Sequence, residues 1–190
     1  LAVNPFFHAL KIALMTFSIS LIISYLSGFS LGLGLSLGVL FLVILVGIIF
    51  DIIGTAVTAA TESPFHAMGA DKVRGSKEAI YLIRHADRTA NFCNDVVGDI
   101  AGTISGALAV GIVLQLAAHG LPTNSLINAA AIAVIAACTV GGKALGKSYA
   151  INQADRIIFA VGKLLAVVKF INTDLKKTKR KKRANTRKAK

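Results

Sequence analysis

Residues Leu31–Ile53 form one apolar run with no charge before Asp51. A helix that crosses the hydrocarbon core of a bilayer needs about 20 consecutive, mostly apolar residues. The run therefore reads as a membrane-spanning helix, and it constrains everything else in the chain. Three more segments have the same character. Phe6–Leu26 carries one charge, Lys11, near its start. A segment at about Val96–Ala118 holds Asp99, and another runs from Leu126 to about Leu145, crossed by Gly141-Gly142-Lys143. Composition agrees: 55% of the 190 residues are hydrophobic and only 16% are charged, against roughly 25% charged in ordinary soluble domains. Mean hydropathy is +0.70. The sequence predicts an all-α membrane protein with about four transmembrane helices plus amphipathic interfacial helices. Residues 9–26 have no polar region with a small-residue cleavage site after them, so they read as a membrane helix and not as a signal peptide.

Between the second and third apolar segments lies a polar stretch, about Thr55–Arg88, in which Ala79, Ile80, Leu82 and Ile83 recur at helical spacing. It reads as one or two amphipathic helices at the membrane surface. His119-Gly120-Leu121-Pro122-Thr123-Asn124 is a turn. Ala154–Ile171 places Ile157, Ile158, Val161, Leu164, Leu165 and Val168 on one helical face, with Arg156, Lys163 and Lys169 on or near the other. That pattern suits a helix lying in the interface or packed on a partner. The chain thus divides into an N-terminal spanning helix (1–30), a membrane domain (31–172) with its amphipathic connector (55–88), and a basic tail (173–190).

Lysine and arginine placement gives the orientation. The two short loops, 27–30 and 119–125, contain none. The connector has five, and the region from Lys143 onward has fifteen, ten of them between Lys176 and Lys190. Four crossings with both termini cytoplasmic keep every basic block on one side, in a multi-pass protein of the cell membrane. A tail of this kind is solvated and disordered, and it is attracted to anionic membrane lipids. It has no interleaved aromatics and no folded reader, so nucleic acid is not the partner expected. Cys93 and Cys138 lack metal-ligand or disulfide spacing and read as buried free thiols.

Carboxylates inside spanning helices cost about 2.5–3.5 kcal/mol on insertion scales, so they need a partner, a proton or an ion. Asp51, Asp95 and Asp99 are the candidates. Asp95 and Asp99 lie four apart, on one helix face, with Thr103 one turn on and Asn94 adjacent. Gly98, Gly102 and Gly106 make a second stripe whose small-xxx-small spacing lets helices approach closely. Carboxylate, amide and hydroxyl oxygens suit a hard cation such as Mg²⁺. Asp51, Asn94, Asp95, Asp99 and Thr103 are therefore the candidate metal ligands, for a transported ion and not a resident cofactor. Asp51 either completes that site or pairs with an interfacial arginine such as Arg88. His66, His85 and His119 read as surface residues, and no Ser/His/Asp or Cys/His arrangement points to an enzyme. The acidic pair is similar to that of lipid head-group transferases acting on CDP-alcohols, but the Asp-Gly and Ala-Arg elements ahead of that pair are missing.

Three stretches resemble the transmembrane domain of the CNNM/CorC (CorB) family. Gly54-Thr55-Ala56-Val57-Thr58-Ala59-Ala60 resembles the E-T-A-L-T-S end of a family membrane helix. Arg74-Gly75-Ser76-Lys77-Glu78-Ala79 and His85-Ala86-Asp87-Arg88 resemble its K-G-A-K-x-A connector and N-P-D-R turn. The run from Gly142 to Ile158, containing Lys147-Ser148-Tyr149-Ala150-Ile151-Asn152-Gln153-Ala154-Asp155-Arg156-Ile157, follows G-E-I-I-P-K-S-x-A-I-x-N-A-E-R-I-A. The resemblance implies magnesium or cobalt transport, or a transport-related role, and a homodimer. This sequence departs from the pattern where a family Glu aligns with Gly54 and another with Lys143. The family's Pro aligns with Gly146, and its nucleotide-binding CBS domains do not follow. Two arrangements are open: Asp51 and Asp99 replace the lost oxygens, or Lys143 neutralises one of these aspartates. Transport and a non-transporting dimeric scaffold that binds lipid or a partner protein both follow from the resemblance. A lipid head-group enzyme is the third reading.

Overall fold

The structure is a computed structural model that describes residues 32–120 and 124–169, with isolated helical positions between residues 10 and 21. The expected first spanning helix, Phe6–Leu26, the loop 27–30 and the basic tail lie largely or wholly outside the described residues. The described chain is all-helical. Three of its helices are long and apolar enough to span a membrane: α1 (Leu33–Ala59), α4 (Ala86–Ala118) and α5 (Ser125–Asn152). Two short helices, α2 (Ser63–Ala70) and α3 (Ser76–Arg84), join α1 to α4. A last helix, α6, covers 154–169.

Local chemistry sets several of these boundaries. Pro64 occupies the first turn of α2, where a missing N–H costs nothing. Gly75 precedes α3 with φ +94°, a conformation open mainly to glycine. The Asn124 side chain caps α5 by accepting a hydrogen bond from the Ile127 N–H at 2.8 Å. The connector ends earlier than the sequence suggested. His85 makes only a turn, and α4 starts at Ala86. The polar residues Asp87 and Arg88 form its first, exposed turn.

Two apolar cores stack along the bundle. One joins Leu40 of α1 to Val96, Ile100, Ile104, Leu108 and Ile112 of α4, with Ile135 of α5 packed against it. The second sits where α1 ends, α4 begins and α5 ends. There Ala56, Val57, Phe65, Ala79, Leu82, Ala90, Ala150, Ala154 and Ile158 meet. Helices α2, α3 and α6 therefore cluster at one end of the bundle. Thr61 N–H donates to Asp155 Oδ1 at 3.1 Å, tying the end of α1 to the start of α6. The apolar stripe of α6 divides along its length. Ile158 is buried in this second core, whereas Leu164, Leu165, Val167 and Val168 are exposed.

The close approaches between helices use other glycines than the expected stripe. A Cβ on Gly47 of α1 would stand 2.9 Å from Ala101 Cβ of α4. A Cβ on Gly146 of α5 would stand 2.8 Å from Ile52 Cγ1 of α1. Gly102 and Gly106 face open space, so their stripe lies on the outside of the three-helix bundle.

Candidate functional site

The third apolar segment is not a regular α-helix. Phe92–Gly98 forms a π-helical turn inside α4. A π turn widens the helix and re-aims side chains, and such turns recur at functional sites. Here Cys93, Val96 and Gly98 are buried, while Asp95 and Asp99 are exposed. Asn94 is turned inward toward α1. Its Oδ1 is buried without a hydrogen-bond partner. The amide fits because residue 54 is glycine: a Cβ there would overlap Asn94 Oδ1 and stand 2.7 Å from its Cγ.

Asp51, one turn before Gly54 on α1, is 4% exposed. Its Oδ2 is buried and accepts no hydrogen bond; the closest cation to that oxygen is the Lys147 ammonium, at 3.6 Å. Lys143, one turn before Lys147 on α5, donates from Nζ to the Gly98 carbonyl at 3.1 Å. Lys143 Nζ and Asp51 Oδ1 lie 3.5 and 4.0 Å from the point where a Cβ on Gly98 would stand. The Asp51 carboxylate of α1, the Gly98 carbonyl of the π turn and the Lys143 ammonium of α5 thus come together around Gly98, and the Asn94 amide packs against Gly54 one turn along α1.

The helix bounds put this layer at one depth. Asp51 is eight residues before Ala59, Asn94 eight after Ala86, and Lys143 nine before Asn152. At about 1.5 Å per residue each lies on the order of 12 Å in from the clustered helix ends.

The five candidate ligands separate. Asp51 and Asn94 face the centre. Asp95, Asp99 and Thr103 are exposed on the outside of α4, where Thr103 Oγ1 donates to the Asp99 carbonyl of its own helix at 2.9 Å. Adjacent Asn94 and Asp95 diverge because consecutive helical residues point about 100° apart, and Asp95 shares its exposed face with Asp99 and Thr103 as their spacing predicts. Arg88 is exposed, and Asp51 pairs with Lys147 in its place. Cys93 is buried as expected, but Cys138 is exposed. Among the described residues no three His, Cys, Asp or Glu side chains gather as a metal cluster. Sequence reading missed Lys147. Its signal was present: Lys143 and Lys147 stand four apart on one face of an apolar helix.

Outside the spans, Glu62 bonds His66 at 3.0 Å and Arg84 at 3.1 Å. The His66 hydrogen bond first, and Arg84 after it, hold the Glu62 carboxyl below its ordinary value. No protein-family model, curated protein or solved structure matches the chain.

Proposed function

We propose that this chain is a non-transporting membrane domain of the CNNM/CorC type, a scaffold whose buried polar centre is filled by its own lysine ammonium. The observation that carries the reading is Lys143. Its Nζ bonds the Gly98 carbonyl at 3.1 Å, beside the Asp51 carboxylate that a transported cation would need. A divalent ion about 4 Å from that ammonium meets a repulsion of about 8 kcal/mol at an effective dielectric of about 20. The remaining oxygens, Asn94 and one carboxylate, are too few to offset this for an ion that loses its hydration shell reluctantly.

The test is flux and binding with the full chain in liposomes. Neither Mg²⁺ nor Co²⁺ moves across the membrane, and neither raises the melting temperature. Cation flux that disappears in Asp51→Asn would refute the proposal and favour transport. One observation speaks for transport: Asp51 Oδ2 and Asn94 Oδ1 are buried acceptors without hydrogen bonds. On that second reading, Lys143→Gln raises flux by removing a competing charge.

The scaffold acts as a homodimer joined through the outer face of α4. Asp99 and Thr103 are exposed there, and Gly102 and Gly106 leave space for a second backbone. Polar groups on a spanning helix are costly against lipid, and small residues allow close helix contact. Gly106→Leu therefore abolishes cross-linked dimers in nanodiscs while leaving the monomer helical. Dimers that persist at wild-type yield count against this interface.

A further inference from the structure

Beyond the Lys143–Asp51 centre, the described chain holds a cleft of about 950 Å³ at the end of the bundle where α2, α3 and α6 cluster. Gly69, Ala70 and residues 72–78 form one wall, and Lys163, Ala166 and Val167 of α6 form the other. The walls are held together by glycines. A Cβ on Gly75 would stand 2.7 Å from the Lys163 backbone nitrogen, and one on Gly162 would stand 3.1 Å from the Ala79 nitrogen. The cleft is therefore a built feature of the α3–α6 contact and not a gap between loose segments.

Its charge is one-sided. Lys72, Arg74, Lys77 and Lys163 line it, against the single carboxylate of Glu78. That carboxylate already faces Lys169 at 3.5 Å. Lys163 lies over the Phe159 ring at 4.2 Å. Among the described residues no carboxylate stands within ion-pair distance of Lys72, Arg74 or Lys77. Three mutually repelling cations with no internal counter-charge are suited to an external anion. The first turn of α3 opens on the same cleft without a side-chain cap, which adds backbone donors. Apolar surface adjoins the charge: Val73 and Val167 line the cleft, and Leu164 and Val168 are exposed beside Lys163.

We propose that this cleft binds the phosphate of an anionic phospholipid headgroup. Lys72, Arg74, Lys77 and Lys163 supply the charge, and Val73 and Val167 lie against the glycerol and first acyl carbons. The apolar wall selects lipid over free phosphate. The position fits as well, because helices α1 and α5 carry the cleft at the ends that outrun the hydrocarbon core. This site is separate from the basic tail, whose lipid attraction needs no fixed geometry.

The experiment uses the full chain in phosphatidylcholine nanodiscs doped with phosphatidylglycerol. Bound phosphatidylglycerol per protein is counted by mass spectrometry after extraction into uncharged detergent. The wild type retains it. Neutralising one cation weakens retention about fivefold, and Arg74→Gln with Lys77→Gln weakens it about thirtyfold. Arg74→Lys keeps it, and so does replacing Lys181, Lys182 and Arg183 of the tail with Gln. Matching circular dichroism and melting curves establish that the double variant is folded. Wild-type retention in the folded double variant overturns the site. Equal displacement by inorganic phosphate, at the same concentration as phosphatidylglycerol, overturns the lipid assignment.

Discussion

Replacing Lys143 with Met leaves the methylene stem and removes the ammonium. Two losses follow. The charge-assisted hydrogen bond to the Gly98 carbonyl, 3.1 Å long, is worth about 1.5–3 kcal/mol. Asp51 keeps its ion pair with Lys147, whose side chain is 52% exposed, but loses the nearby ammonium of Lys143. Exposure screens that pair, so its contribution is about 1 kcal/mol or less. The expected cost of Lys143→Met is about 2–3 kcal/mol. Asp51→Asn has a similar cost for the opposite reason, because two ammonium groups then face each other without a carboxylate. If Lys143 neutralises Asp51, the double variant loses both charges together. Its destabilisation falls below the sum of the singles by about 2 kcal/mol. Lys147→Gln alone costs no more than about 1 kcal/mol. Cys93 supplies the assay. It is buried in the π turn, whereas Cys138 is exposed. In a Cys138→Ser background, a thiol-reactive fluorophore therefore reports unfolding around the centre itself. Single-variant costs that add to within about 0.5 kcal/mol in the double variant would falsify the coupling.

Two further perturbations test the surroundings. Gly54→Ala drives a Cβ into Asn94 and costs about 1–3 kcal/mol, whereas Gly98→Ala meets its nearest neighbours at an ordinary 3.5 Å and stays within about 0.5 kcal/mol. Melts of the two variants check this, and reversal of their order would sink the packing account. Glu62, outside the spans, has its carboxyl held below the ordinary 4.5. A depressed acid stabilises the fold above its unfolded value and loses that contribution as pH falls through the folded one. The stability gap between wild type and Glu62→Gln should be full above about pH 4.5 and close under acid. A gap that widens as the pH drops contradicts the His66–Glu62–Arg84 geometry.

Much of this fold is legible in the sequence because lipid imposes a crude rule. Leu31–Ile53 and Leu126–Leu145 announce themselves by length and apolarity, and α1 and α5 run past them to Ala59 and Asn152. The turn at His119–Gly120 and the amphipathic α3 follow from residue type alone. The π turn does not. None of its seven residues has a composition that distinguishes π from α, since the extra residue is accommodated by tertiary contacts. Asp95, Asp99 and Thr103 share the outer face that their spacing predicts, whereas the inward placement of Asn94 against Gly54 depends on the partner helix. The glycines mislead for a related reason. Spacing identifies a smooth face, but only the partner helix decides which smooth face is used, and Gly146 at Ile52 takes the place expected for Gly102 and Gly106.

Charge balance at the centre joins these observations. Gly54 and Lys143 set what the centre can hold. Gly54 leaves the space that the neutral Asn94 amide fills. Lys143 brings an ammonium to the Gly98 carbonyl. Asp51 adds one negative charge, and Lys147 meets it from the exposed side at 3.6 Å. A carboxylate already compensated by lysine gains little from an added divalent ion, and the charges keep their desolvation cost whether or not the ion is there. Together these residues favour permanent occupancy of the centre by a tethered cation, and a fixed centre of this kind holds α1, α4 and α5 in one register, as the scaffold proposed above requires.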